Sequence, residues 1–273
     1  MATIAATAPR TATRSRPNLW TPAYSLFLRE IVRFYRQKAR VVGVIATPLL
    51  FWILLGSGFA RSFHSGPDSG SYLAYFFPGS VVMIVLFTAI FSMMSLIQDR
   101  NEGFLLSVLA SPASRSAIVL GKVLGGATLA AIQGIIFLVF TPLVGIHPGA
   151  AAILVSVAVI VLISFELTAL GFAIAWPMDS PQAFHAIVNL ILLPLWMLSG
   201  ALFPADRAST WLGFLMRLNP LSYGVDALRN ALFPAEPTLF PLDINLAITG
   251  AFCAFIFASS WGIVNRRTHK PAA

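Results

Sequence analysis

The sequence predicts an all-α membrane protein with six transmembrane helices, and three observations carry that prediction. Hydrophobic residues make up 58% of the 273 residues and charged residues 10%, with a mean hydropathy of +0.82. A soluble core of this size cannot hide that much apolar surface. Six apolar runs are each long enough to cross a hydrocarbon layer of about 30 Å at 1.5 Å per helical residue. The charges stand almost entirely between those runs.

Residues 1–17, rich in Ala, Thr, Arg and Pro without apolar periodicity, are expected to form a disordered tail; they lack the apolar stretch and cleavage site of a signal peptide. From 18 to 40 the pattern turns helical. Trp20, Tyr24, Phe27, Ile31, Phe34 and Tyr35 fall within about 100° of one another, with Arg29, Arg33, Arg36 and Arg40 opposite. That is the pattern of an amphipathic interfacial helix, aromatics in the headgroup boundary and arginines toward water or lipid phosphate. A core helix of a soluble domain shows the same stripe but does not normally run straight into an apolar span.

The membrane domain is expected over 41–265, with spans at 41–60, 75–97, 117–146, 151–176, 183–203 and 244–264, and a basic tail at 266–273. Pro48, Pro142 and Pro194 lie inside the first, third and fifth. The third opens with Gly121-x-x-x-Gly125, a spacing that permits close helix approach. Residues 204–243 are too polar and proline-broken to cross, yet hold two apolar-striped pieces: Trp211, Phe214, Leu215 and Leu218, then Leu221, Val225, Leu228 and Leu232. Asn219 and Pro220 are N-cap and first-turn signals for the second piece. The two pieces either lie on the outer surface or dip inward as a pair covered by protein.

Between the second and third spans stands a polar island, 98–122, holding Asp99, Arg100, Glu102, Arg115 and Lys122. Inside it, 104–109 reads as a short amphipathic piece, and Ser111-Pro112 as the cap and first turn of the helix that follows. Such an element either docks into a groove of a soluble partner or is a plain solvated loop. Lys and Arg number fourteen in the N-terminal segment, island and C-terminal tail, against four (Arg61, Arg207, Arg217, Arg229) elsewhere. The excess puts both termini and the island in the cytoplasm.

The formal charge of +8 does not point to nucleic acid, because the basic residues crowd beside apolar runs, where they set topology and meet anionic lipid. The single cysteine, Cys253, forms no intrachain disulfide, and His64, His147, His185 and His269 have no metal-ligand spacing. No phosphate-binding loop is present: Gly121-Lys122 is followed by Val123 and lacks the upstream glycine. Gly-x-Ser-x-Gly and His-Glu-x-x-His motifs are absent too, so no catalytic residue is assigned. The one charge deep in a span is Glu166, about 15 Å along the fourth helix from its near end. A carboxyl there is either a polar point on a substrate path or subunit seam, or a neutral group hydrogen-bonded to a neighbouring helix.

Two strings resemble a known family. Asp99-Arg100, Glu102-Gly103-Phe104-Leu105, Ser111-Pro112-Ala113-Ser114-Arg115 and Val119-Leu120-Gly121-Lys122 resemble the loop after the second span of type-2 ATP-binding-cassette export permeases. Those permeases include the membrane partners of daunorubicin-type drug exporters and of nodulation-factor exporters. The segment from Asn219 to Arg229 is similar to the family's stretch before its last span. The resemblance implies an N-terminal interfacial helix, a cytoplasmic coupling helix between spans two and three, and a re-entrant helical pair before span six. Asp99, Arg100, Glu102, Gly103, Phe104, Leu105, Ser111, Pro112, Arg115 and Lys122 would then couple to an ATPase. Asn219, Pro220, Tyr223, Asp226 and Arg229 would form the re-entrant motif. It further implies two ATPase subunits carrying ATP and Mg²⁺, none bound by this chain, and a second permease, either another copy in a homodimer or a sister permease. The complex would sit in the cytoplasmic (inner) membrane and export an amphipathic drug, lipid or lipid-linked saccharide. Glu166 is a departure, since the family pattern does not require an acid there. The competing reading, an ion-coupled carrier or channel without an ATPase, would normally show inverted repeats or several intramembrane charges.

Overall fold

The computed structural model describes residues 19–59, 71–111, 113–205, 208–234 and 238–265. The expected tails at 1–17 and 266–273, Pro112 and the side chain of Arg40 lie outside the described residues. Helices account for the architecture, and there is no strand among the described residues. In chain order they are α1 (Trp20–Arg36), α2 (Lys38–Gly58), α3 (Tyr72–Asn101), α4 (Phe104–Ala110), α5 (Arg115–Phe137), α6 (Ala150–Ala175), α7 (Pro181–Trp196), α8 (Thr210–Leu218), α9 (Pro220–Leu232) and α10 (Leu242–Asn265). Six segments are long and apolar enough to cross a membrane: Val41–Gly58, Tyr72–Asn101, Arg115–Val144, Ala150–Ala175, Pro181–Ala201 and Leu242–Asn265.

α3 is apolar on every side, and a helix of that kind is buried. Its most apolar stretch is 83% buried, against 18% for α2 and 22% for α10, which face outward. Around α3 the small residues of α5 let three backbones close together. A Cβ on Gly126 would fall 2.4 Å from Ser92 Oγ and 2.7 Å from Thr168 Cγ2, and one on Gly134 would meet Val85 and Ile160. Gly126 and Gly134 thus bring α5 against α3 and α6 at once. Buried polar side chains in this core are tied locally: Thr88 donates to Ile84 O, and it lies 3.0 Å from Gln133 Oε1 across the α3–α5 seam.

The helix breaks follow from local chemistry. Pro142 has no N–H to donate, and the chain tightens there into a 3₁₀ turn, Leu138–Val144, ended by Gly145 at φ 77°. α2 continues through Pro48 as one helix. α7 opens on Ser180, whose side chain accepts from Ala183 N, with Pro181 at its first position. It continues through Pro194 and ends in a π-helical turn, Met197–Ala201, where Gly200 takes φ 78°. The carbonyls freed there are taken up from outside the helix. Tyr75 Oη donates to Gly200 O at 2.8 Å, Tyr72 Oη to Leu202 O at 3.0 Å, and Arg229 to Gly200 O at 3.0 Å.

Two boundaries differ from those expected. Gln98 to Asn101, assigned to the polar island, are the last turn of α3. Helical spacing therefore sets Asp99 on the same inward face as Ser92 and Ser95. The helix after the island is capped not by Ser111 but by Ser114, whose side chain accepts from Ala117 N. Ser111 Oγ instead donates to Val108 O at the end of α4, so Ser111 closes one helix rather than opening the next.

α8 and α9 form a hairpin whose turn residue, Asn219, is buried against the fifth segment. Asn219 caps α9 through Leu221 N and donates to Leu195 O at 2.6 Å, six residues before the end of the fifth segment. Gly224 lies against Ile163, at the middle of α6. Two residues further, Asp226 accepts from Leu239 N, Phe240 N and Asn245 Nδ2 at the mouth of α10. The Leu221, Val225, Leu228 and Leu232 stripe is buried, whereas Trp211, Phe214, Leu215 and Leu218 of α8 are exposed.

Candidate functional site

The chemistry-bearing side chains concentrate at the end of the bundle where α1, the last turns of α3, α4 and the start of α5 meet. α1 is seated there by Gly121 and Gly125 of α5. A Cβ on Gly121 would lie 2.6 Å from Ala23 O, and one on Gly125 would lie 2.8 Å from Glu30 Cβ. No larger residue leaves α1 room to lie this close.

The face that α1 buries takes only Phe34 from its aromatic stripe. Ala23, Leu26, Glu30 and Phe34 are buried, while Trp20, Tyr24 and Tyr35 remain exposed. At 100° per residue that buried edge is rotated by about 90° from the expected apolar stripe toward the arginines. The expectation that Arg29 and Arg33 turn to water or lipid phosphate is corrected accordingly: both turn to Asp99, at 2.7 and 2.6 Å from its Oδ1. Arg36 is exposed at the end of α1.

Asp99 is the centre of a closed network. Its Oδ2 meets Lys122 Nζ, which also lies 2.5 Å from Glu30 Oε1 and 3.1 Å from Ser95 Oγ. Ser95 Oγ donates to Glu30 Oε2 at 2.5 Å. Arg33 reaches Gln98 Oε1 at 2.8 Å and Glu102 Oε1 at 3.3 Å. Glu30, Asp99 and Lys122 are 3%, 0% and 1% exposed, so these charges survive in the interior only because each is paired. Asp99 and Lys122, expected among the residues facing a partner, point into the chain; Lys122 Nζ meets Glu30 of α1 and Ser95 and Asp99 of α3. Glu30 and Ser95 were not singled out by the sequence. The available signal for Glu30 was a lone acid on a helix otherwise carrying only basic charges.

Two arginines of the island act at helix ends. Arg100 donates to Met178 O at 2.7 Å and to Trp176 O, beyond the end of α6, and pairs with Asp179 at 3.1 Å. Arg115 reaches Val264 O at 3.4 Å in the last turn of α10. A cation there meets the exposed carbonyls and the negative end of the helix dipole.

What the island does present outward is α4. Gly103, at φ 75°, swings the chain from α3 into α4. Leu105 is buried, Phe104 lies under the Arg29 guanidinium at 3.6 Å from ring centroid to Cζ, and Leu106, Ser107, Leu109 and Ala110 are exposed. Glu102, beside them, has 59% of its side chain exposed. At the other end, Pro220, Asn219, Asp226 and Arg229 belong to the hairpin, Arg229 stacking on Tyr75 at 4.3 Å; Tyr223 Oη donates to Arg217 O.

Glu166 is 1% exposed on α6. Its Oε2 has no hydrogen-bond partner among the described residues. It therefore sits within the chain, not on a lipid-facing surface. Because the group is buried unsatisfied, Glu166→Leu is expected to raise stability by about 1–3 kcal/mol, whereas Glu166→Gln, still polar, does not. Thermal unfolding of the purified variants checks this, and a lower midpoint for Glu166→Leu would show a partner for the carboxyl.

The model of the ABC-2 type transporter family matches residues 22–233, from α1 through the hairpin. Transport permease ycf38 of Cyanophora paradoxa is 29% identical over 209 residues, covering 76% of this chain and 72% of that relative. Nodulation protein J of Rhizobium leguminosarum bv. trifolii is 28% identical over 235 residues, 84% of this chain and 87% of that protein. An ABC-type transporter, cns4, of Cordyceps militaris is 28% identical over 228 residues, which span 80% of this chain but 16% of that protein.

Proposed function

Because this chain belongs to the ABC-2 type transporter family, we propose that it is the membrane-spanning permease of an exporter whose ATP is hydrolysed by a separate subunit. The sequence carries no phosphate-binding loop of its own. The observation that carries the reading is α4: a short helix held out at one end of the bundle with Leu106 67% and Leu109 36% exposed, flanked by Glu102. An apolar ridge on a helix with a charged rim suits a groove on a soluble protein. The excess of Lys and Arg in the sequence segments before the first span, between the second and third and after the sixth supports a cytoplasmic position for α4, where the ATPase is. Two permease copies with two ATPases form the transporter in the inner membrane. ATP-driven closure of the ATPases displaces α4 and shifts the permease pair from inward- to outward-facing. The transported class is amphipathic, a drug, lipid or lipid-linked saccharide.

Co-purification tests this directly. Leu106→Glu is expected to leave the permease inserted and folded, since the side chain contacts solvent, yet to lower recovery of the ATPase at least about tenfold. Glu102→Lys, at the rim, is expected to weaken it less. Normal recovery and normal permease-dependent ATP hydrolysis in Leu106→Glu would refute docking through α4. Transport persisting in vesicles without any ATPase would favour an ion-coupled carrier instead.

A further inference from the structure

α4 is seven residues long and has one buried side chain, Leu105. A helix that short has little stability of its own, and Gly103 at φ 75° joins it to α3 through a residue with wide conformational freedom. It packs on α3 through Leu105, and α1 reaches it through the Arg29 side chain. The Arg29 guanidinium lies over the Phe104 ring at 3.6 Å and also sits 2.7 Å from Asp99 Oδ1. Asp99 meets Lys122 of α5, which in turn meets Glu30, one residue after Arg29 on α1. Three cations (Arg29, Arg33, Lys122) balance three carboxylates (Glu30, Asp99, Glu102), so the network is neutral and closed.

We propose that Arg29 is the positioning residue of α4: by stacking on Phe104 while paired to Asp99, it makes α1, the end of α3, α4 and the start of α5 one mechanical block. A push on α4 then reaches α1 and α5 together instead of being absorbed at Gly103. A guanidinium suits this double role, because its delocalised charge can lie over a ring and beside a carboxylate at once. The functional half of this inference rests on α4 being the docking helix.

The test uses the full-length permease in nanodiscs of phosphatidylethanolamine and phosphatidylglycerol, in a Cys253→Ser background. Spin labels on Ser107→Cys and Ala183→Cys, both exposed positions, report the distance of α4 from the bundle without involving α1. Phe104→Leu removes the ring and leaves every charge in place; Arg29→Met removes the cation and leaves the ring. Each is expected to widen the distance distribution at least about twofold, with Arg29→Lys, which keeps the charge but not the flat face, intermediate. In the assembled transporter Phe104→Leu is expected to lower permease-dependent ATP hydrolysis about fivefold while the ATPase still co-purifies, which simple misfolding would not spare. Unchanged widths in both Phe104→Leu and Arg29→Met overturn the proposal, and so do widened distributions with normal hydrolysis. If the parent chain itself fails to recover an ATPase, the docking reading falls, and the spin-label widths alone decide the positioning of α4.

Discussion

Lys122→Met is expected to cost about 3–5 kcal/mol of stability, the range found when one partner of a buried ion pair is removed. The substitution keeps volume and helix propensity, so the loss comes from the charges left behind. Those two charges are not left equally. Asp99 retains Arg29 and Arg33 at 2.7 and 2.6 Å, whereas Glu30 keeps only the Ser95 hydroxyl. A second substitution, Glu30→Gln, should therefore recover more of the lost stability than Asp99→Asn does, and Asp99→Asn should strand the two arginines in turn. Unfolding midpoints of the single and double variants in detergent measure this. A loss under about 1 kcal/mol for Lys122→Met, or equal rescue by both second substitutions, would show that the network is not the closed set described.

Gly121→Leu is expected to lift α1 from the bundle. The first atom of any side chain there would lie 2.6 Å from Ala23 O and 2.6 Å from Leu26 Cβ, and backbone cannot yield as a flexible side chain does. Displacing α1 also withdraws Glu30 from Lys122, so the packing penalty of about 1–3 kcal/mol is joined by part of the ion-pair loss. Trypsin should then cut after Arg29 and Arg33 far faster than in the parent, since both are held against Asp99 when α1 is seated. Gly250→Ala is the matched control. Nothing lies within 4 Å of a Cβ at Gly250 in α10, so that change should be neutral or gain up to about 1 kcal/mol from helix propensity. Protection of Arg29 and Arg33 in Gly121→Leu would mean that α1 is held by something other than the glycine seat.

The six spans were legible in the sequence because crossing a bilayer is a matter of local length and apolarity, both of which a window of twenty residues contains. The start of α9 was legible for the same reason: Asn219 and Pro220 satisfy and shape the first turn through neighbours one and two residues away. The amphipathic character of α1 and the existence of α4 were likewise readable from periodicity. Which face α1 buries was not. The aromatic stripe gave the strongest local signal, but the seat on α5 is made by Gly121 and Gly125, about ninety residues further on, and it accepts the edge carrying Ala23 and Leu26. That roll of the helix decides the site. It brings Glu30 to Lys122, 92 positions away, and Arg33 to Asp99, 66 positions away. Asp99, Arg100, Arg115 and Lys122 all read as one exposed polar island because sequence gives only their proximity in the chain. The fold sends Asp99 and Lys122 inward to each other and Arg100 and Arg115 to the carbonyl ends of α6 and α10. Length and hydropathy determined the number of spans, since both are properties of a local window of residues; only the tertiary structure decided which charges turn inward, because a buried charge is settled by the counter-charge that distant packing brings to it.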